Sequence, residues 1–213
     1  MTLTLLVVAA IVALGDWVAV QGRLFRLEYL LKPLTLVLLV AAATSASIGD
    51  PKPWVVAALV LGLLGDIGLM LSDGDTDLPF LAGLGAFLLG HVAYIVAFLQ
   101  LDIRTADLVA GLLVIAGVAG LVLPAILLGA IQKAGNAFAA VVLVYVLGLS
   151  TMTVLATGTG IVATAVGGVL FLASDAILAR GRFVAPVQRG PLLVIVTYHL
   201  AQFLILIGLI RSF

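Results

Sequence analysis

Eight apolar stretches, each about long enough to cross a bilayer as a helix, make up most of this chain. A membrane helix needs about 20 mostly apolar residues. The stretches run approximately over residues 3–20, 30–47, 53–71, 79–100, 107–130, 136–157, 161–180 and 190–210. They do not alternate apolar with polar residues, as the strands of a membrane β-barrel do. Because backbone groups inside a bilayer must be paired within the segment, the sequence predicts an all-α bundle of about eight spans.

The composition agrees with this prediction. Charged residues make up 9% of the chain and hydrophobic residues 64%, whereas an ordinary globular domain has about 25% charged residues. We therefore expect a multi-pass integral membrane protein with one transmembrane helical domain over residues 1–213, in the cell (inner) membrane if the source is bacterial. The net charge of zero argues against a nucleic-acid partner. The absence of cysteine excludes disulfides and thiolate chemistry.

Prolines give further expectations about the spans. Pro33, Pro53, Pro79 and Pro191 each lie near the predicted start of a span, where the missing N–H had no helical partner. Pro124 lies inside the fifth stretch and predicts a kink or a break there. The first apolar run has no Lys or Arg before it, so we expect a retained helix rather than a cleaved signal peptide.

The ten positive residues predict an orientation. With eight spans, both termini lie on one side of the membrane. That side carries Lys52, Arg104 and Arg211. The other side carries Arg23, Arg26, Lys32, Lys133, Arg180, Arg182 and Arg189. The positive-inside rule then puts the larger group in the cytoplasm and both termini on the non-cytoplasmic side.

Three aspartates fall inside the predicted spans: Asp16, Asp66 and Asp175. Carboxylates in membrane helices are costly and usually face the bundle interior, so a functional role is the first hypothesis for them. Each lies four or five residues before the predicted cytoplasmic end of its span. They are therefore predicted at a similar depth, less than about 10 Å from that end. A purely structural role, with hydrogen bonds across helices, stays open for each.

Other polar residues lie within the same spans. Lys32 opens the second span on the cytoplasmic side. His91 and Tyr94 lie one turn apart on the fourth span, and Tyr198 and Gln202 are one turn apart on the last. Polar side chains in membrane helices often form hydrogen bonds between helices, and this alternative stays open for all of them.

We find no sequence motif for a metal or a cofactor. Residues 73–77 begin like a calcium-binding loop, but Leu78 and Leu84 stand where a glycine and a bidentate glutamate are required, so we expect an exposed turn. The glycines within 83–90 lie inside a span and predict helix packing rather than a phosphate loop. The chain has two histidines and no H-E-x-x-H sequence. We therefore predict neither a metal nor a cofactor. The two histidines and a few aspartates could hold a metal only if the fold brought them together, and this alternative stays open here.

Five motifs occur in order along the chain. They are KPLT from Lys32, LLGDIGLML over 63–71, the pattern F-x-x-G-x-x-x-F-x-x-G-H-x-x-Y over 80–94, GGVLFLASDAILA over 167–179 and TYHLAQFLI over 197–205. Together they resemble the YhhN family of membrane proteins, whose characterised members are lysoplasmalogenases. The resemblance covers nearly the whole chain and implies eight spans.

The resemblance also implies an activity. It implies hydrolysis of the vinyl ether bond of a lysoplasmalogen, which releases a fatty aldehyde and glycerophosphoethanolamine or glycerophosphocholine. The substrate would be a lysophospholipid drawn from the bilayer, and water would be the second reactant. The family pattern maps onto Lys32, Asp66, His91, Tyr94, Asp175, Tyr198 and Gln202.

Vinyl ether hydrolysis needs a proton donor, an anion that stabilises the oxocarbenium ion, and a positioned water. Two carboxyl groups in different environments can divide these tasks, as they do in glycoside hydrolysis. We therefore predict Asp66 and Asp175 as the catalytic pair, without assigning their roles. The predicted substrate-binding residues are Lys32, His91, Tyr94, Tyr198, Gln202 and Asp16. The phosphate is expected near the basic residues Arg23, Arg26, Lys32, Arg180 and Arg182.

Two other functions are open at this stage. A small-molecule or proton-coupled transporter usually has its site near the midplane of the membrane, whereas the three aspartates lie toward one side. A non-catalytic lipid-binding protein would tolerate the loss of a carboxyl proton, whereas the hydrolase would not.

Overall fold

The computed structural model describes residues 1–74 and 78–213, and within these ranges it contains seven helices and no strand. The helices are α1 (Thr2–Gln21), α2 (Phe25–Ser45), α3 (Lys52–Met70), α4 (Leu78–Phe98), α5 (Thr105–Gly158), α6 (Val162–Phe183) and α7 (Gly190–Arg211). All seven are long and apolar enough to cross a membrane. The predicted all-α architecture is therefore confirmed. Of the predicted turn at 73–77, residues 75–77 lie outside the described part of the chain.

Helix α5 has 54 residues and consists of two pieces. They meet at Gly135, whose φ of 82° and ψ of 179° are not helical and are open to glycine because it has no Cβ. The pieces cover 105–134 and 136–158, so eight helical segments correspond to the eight predicted stretches. The number of membrane crossings stays a prediction.

The structure corrects two of the expectations about prolines. Pro124 lies within a helical piece of α5, so the expected break does not occur there, and the expected kink stays a prediction. The break lies at Gly135 instead, because only glycine adopts that positive φ without strain. Pro33 lies well inside α2, because this helix begins at Phe25 and includes a charged and aromatic first turn before the apolar stretch. The three others do lie in the first turn of a helix, and they are Pro53, Pro79 and Pro191.

Contacts between loops sort the helix ends into two groups. At one end, which we call the basic end, Tyr29 donates a hydrogen bond of 2.6 Å to the Met70 carbonyl. The loops 22–24, 71–74 and 184–189 meet there. At the opposite end the hydroxyls of Thr2 and Ser45 lie 2.9 Å apart. Both chain termini belong to this opposite end, and the side of the membrane that each end faces stays a prediction.

Helices α3 and α4 cross closely because glycines meet at their contact. A Cβ on Gly68 would lie 2.6 Å from the Cα of Gly83, and a Cβ on Gly83 would lie 3.0 Å from the Gly65 carbonyl oxygen. Small residues allow membrane helices to approach in this way. The crossing fixes the turn of α3 that carries Asp66.

Candidate active site

A cavity of about 660 Å³ opens near the basic end of the bundle, and all seven helices contribute to its walls. Its volume falls within the range of about 300–1,000 Å³ that is typical of small-molecule sites. Most of the lining side chains are apolar. The charged residues that line it are Glu28, Lys32, Asp66, Asp175 and Arg182. Two aspartates from different helices, α3 and α6, therefore border one largely apolar space, together with Glu28 from α2.

Asp66 forms an ion pair with Lys32 from α2, with 3.4 Å between Nζ and Oδ1. The side chains are 2% and 16% exposed, respectively, so the pair is largely removed from solvent. The preceding residue, Gly65, packs closely against the Phe87 ring, since a Cβ on this residue would lie 2.6 Å from the ring. This close packing against α4 holds the Asp66 turn of α3 in place beside α2.

We expect the substitution Lys32→Met to lower the free energy of unfolding by about 3–5 kcal/mol, because it leaves the buried Asp66 carboxylate without its partner. The double substitution Lys32→Met and Asp66→Asn should restore much of this loss. Thermal unfolding of the purified protein in detergent measures both effects. Lys52→Met, at the opposite end of the bundle, is the matched control. A Lys32→Met protein as stable as the wild type would contradict the prediction.

Asp175 accepts a hydrogen bond from a tyrosine that the sequence analysis did not single out. The Tyr145 hydroxyl, from the second piece of α5, donates to Oδ2 of Asp175 at 2.5 Å. The Ser174 hydroxyl donates to the Val194 carbonyl at 3.1 Å and so joins α6 to α7 at this level. Only the rarity of tyrosine, with four in the chain, could have drawn attention to Tyr145.

A group of polar side chains lies behind the cavity, between α3, α4 and α7. Tyr94 donates a 2.6 Å hydrogen bond to the Oε1 atom of Gln202. A Cβ on Gly62 would lie 3.0 Å from the Tyr198 hydroxyl oxygen and 3.1 Å from Nε2 of Gln202. Glycine at this position therefore lets both polar groups approach α3, one turn before Asp66. Of these side chains, Tyr198 also lines the cavity.

His91 is buried among aromatic rings and does not line the cavity. Its ring centroid lies 5.2 Å from that of Tyr145 and 4.9 Å from that of Phe171, with both contacts edge to face. Neither ring nitrogen has a hydrogen-bond partner among the residues that the structure describes. His91 therefore packs behind the residues that hold Asp175, and its predicted contact with substrate stays a prediction.

Asp16 is fully buried on α1 and also lies outside the cavity wall. Within the described ranges, neither of its carboxylate oxygens has a hydrogen-bond partner. It interacts electrostatically with Lys32, the partner of Asp66. The next residue, Trp17, donates a hydrogen bond of 3.1 Å to Nδ1 of His199 and ties α1 to α7. After the hydrogen bond from Tyr145 to Asp175, this is the second contact that the sequence analysis did not predict.

The eight predicted site residues thus fall into two groups, those that line the cavity and those that lie behind its wall. The residues that line the cavity are Lys32, Asp66, Asp175 and Tyr198. The residues that lie behind its wall are Asp16, His91, Tyr94 and Gln202. Glu28 lines the cavity as well, although no sequence motif includes it.

Comparison with known proteins agrees with the sequence motifs. The YhhN family profile matches residues 27–209. Two curated proteins named lysoplasmalogenase, from Mycobacterium bovis and Mycobacterium tuberculosis, are each 34% identical to this chain. Each alignment covers 81% of this chain and 66% of the relative, so the chain spans about two thirds of the length of these relatives. No solved structure matches the fold.

Proposed function

The chain belongs to the YhhN family, and from this premise we propose that it is a membrane-embedded hydrolase that cleaves the vinyl ether bond of a lysoplasmalogen. The observation that carries the proposal is the pair Asp66 and Asp175, which come from two helices and line one mostly apolar cavity. The names of the two mycobacterial relatives support the same substrate class.

The lining of the cavity suits a lipid with one chain. Apolar side chains such as Ile115 and Leu149 line the part away from the basic end and would hold the alkyl chain. Charged groups such as Lys32 and Arg182 lie nearer the basic end, where a phosphate would be. The vinyl ether of a lysoplasmalogen lies just below the headgroup. In this orientation it would lie beside the two aspartates.

The first chemical step is protonation of the vinyl ether at its β-carbon. The π electrons of the double bond form the new C–H bond, and the positive charge is shared by the α-carbon and the ether oxygen. A carboxylic acid supplies the proton, and a neighbouring carboxylate stabilises the oxocarbenium ion as the charge develops. This division of tasks requires two carboxyl groups that hold different charges.

We assign Asp175 as the acid and Asp66 as the carboxylate. Asp66 is paired with the Lys32 ammonium group, which balances an anion. Asp175 accepts the Tyr145 hydroxyl at Oδ2, and its other oxygen, Oδ1, is the one that would carry the transferable proton. The different partners make the two groups chemically distinct, although both line the same cavity.

Water then completes the hydrolysis. It adds to the α-carbon and gives a proton to Asp66. The product of this addition is a hemiacetal. The hemiacetal collapses as its hydroxyl proton returns to Asp175, the bond from carbon to the glycerol oxygen breaks, and Asp66 protonates that oxygen. One water is consumed, an aldehyde and an alcohol are released, and both aspartates regain their starting states.

We expect the purified protein to release fatty aldehyde and glycerophosphoethanolamine in equal amounts from lysoplasmenylethanolamine, as measured by mass spectrometry. In D₂O the aldehyde should carry one deuterium on the carbon next to the carbonyl, because the proton is delivered to the β-carbon. The saturated 1-alkyl analogue, which lacks the double bond, is the control and should yield no aldehyde. Failure to release aldehyde from vinyl ether lipids with ethanolamine, choline or no headgroup would overturn the proposed function.

A further inference from the structure

A second cavity, of about 490 Å³, lies at the basic end next to the first. Three charged residues line it: Arg23 from the turn between α1 and α2, Glu28 from α2, and Arg189 at the start of α7. The two cavities share part of their walls. The shared residues are Val20, Phe25, Glu28, Val187 and Pro191. A ligand could therefore occupy both spaces at once, with Glu28 at their junction.

The three charged groups of the second cavity are not paired with one another. Within residues 1–74 and 78–213, the ion pairs are Lys32 with Asp66 and Arg104 with Asp107. Arg182, by contrast, has its guanidinium 4.5 Å from the centre of the Phe80 ring. Two guanidinium groups and one carboxylate thus border the same space with their charges available to a ligand.

The backbone at both arginines is unusual. Arg23 and Arg189 each have a φ of 55°, and they are the two residues other than glycine with positive φ in the described part of the chain. A residue with a Cβ rarely adopts this backbone conformation, whereas glycine would adopt it without strain. Strained residues of this kind tend to cluster at functional sites. The presence of arginine at both positions points to a use for the guanidinium groups.

We propose that the second cavity binds the zwitterionic headgroup of the substrate. Arg23 and Arg189 bind the phosphate, for which the guanidinium group is well suited. Glu28 binds the ammonium group of ethanolamine or the trimethylammonium group of choline. The inference rests on the proposed function, and it adds Glu28 and Arg189 to the headgroup contacts expected from the sequence.

The register of α2 connects this headgroup site to the aspartates. Glu28 and Lys32 are four residues apart on one helix, so they lie on the same face with a separation of about 6 Å along the axis. Glu28 lines both cavities, and Lys32 lines the first and contacts Asp66. A lipid with its headgroup beside Glu28 would pass its glycerol by Lys32 and bring its ether oxygen near Asp66.

The test uses saturated ether lipids, which bind but contain no vinyl ether to hydrolyse. Three ligands are compared by native mass spectrometry in detergent: 1-alkyl-glycerophosphoethanolamine, 1-alkyl-glycerophosphate and 1-alkylglycerol. Glu28→Gln should weaken binding of the ethanolamine lipid by about fivefold, and it should not weaken binding of the other two. Arg23→Gln and Arg189→Gln should each weaken the binding of both phosphate-containing lipids by about fivefold. Both substitutions should leave the affinity for 1-alkylglycerol unchanged.

Two controls separate a headgroup role from a general effect. Arg211→Gln removes an exposed arginine at the end of α7, at the opposite end of the bundle, which lines neither cavity, and it should change none of the three affinities. Arg189→Lys keeps the positive charge and should retain most of the phosphate binding. The affinity for 1-alkylglycerol in each variant shows whether the fold is preserved.

The outcomes distinguish this inference from the proposed function. The expected pattern of affinities in a protein that releases no aldehyde would support the headgroup site and reject the hydrolase. The inference would be overturned if Glu28→Gln weakened the binding of all three ligands equally. It would also be overturned if this substitution changed none of the affinities. The inference would also be overturned if Arg211→Gln weakened binding as much as Arg23→Gln does, or if the wild-type protein bound none of the ligands.

Discussion

Asp66→Asn and Asp175→Asn are each expected to slow aldehyde release from lysoplasmenylethanolamine by at least about a hundredfold, which is the usual scale for loss of general acid or base catalysis. Asparagine keeps the size and shape of aspartate, but it neither delivers the proton nor carries the negative charge that stabilises the oxocarbenium ion. Both residues line the same cavity, so each loss acts on the same reaction. Initial rates with equal amounts of folded protein measure the effect.

The matched control for this pair is Asp50→Asn, which makes the same chemical change in the exposed loop before α3 at the opposite end of the bundle. It should leave the rate close to that of the wild type. Because Asp66→Asn also changes the partner of Lys32, the rate must be compared at a temperature where the variant is fully folded. A wild-type rate in either the Asp66 or the Asp175 variant would exclude that residue from the catalytic pair.

The fold was largely predictable because membrane helices leave a strong signal in the sequence. The eight apolar stretches correspond to eight helical segments, including the separation of α5 into two pieces near Gly135. The start of α2 was missed because four of residues 25–29 are charged or aromatic, and they precede the apolar run. A break at Pro124 was also wrong, since the backbone stays helical there and the two pieces of α5 meet at Gly135.

The sequence predicted the depth of the site residues along their helices, but it did not predict which side chains contact one another. The positions of Asp66 and Asp175 along their helices predicted a similar level, and both line one cavity. Asp16 has a similar predicted depth, yet it lies outside the cavity wall. Tyr145 and Glu28 belong to no motif that predicts their contacts, because these contacts depend on how each helix is rotated and which neighbour it packs against. Distance along a helix follows from residue number, whereas rotation and neighbours follow from the packing of the whole bundle.

A large effect on stability is expected from the contact between α3 and α4. Gly83→Val should lower the free energy of unfolding by about 3 kcal/mol or more, because added atoms in a packed contact force the helices apart. For a chain of this size that corresponds to a fall in melting temperature of about 10 °C. The atoms nearest to a Cβ at this position are the Gly65 oxygen at 3.0 Å and the Leu69 nitrogen at 3.1 Å. Both are backbone atoms of α3, so no side chain can move aside to relieve the contact.

Gly85→Val is the matched control, because it places the same side chain on the same helix where a Cβ meets nothing within 4 Å. This variant should unfold at nearly the wild-type temperature, measured by loss of the native gel-filtration peak after heating in detergent. Gly83→Val should also lose aldehyde release, because Asp66 follows directly after Gly65 and moves with that turn of α3. Equal stability of the two variants would mean that α3 and α4 do not cross at these glycines, and the position of Asp66 beside Lys32 would then lose its structural basis.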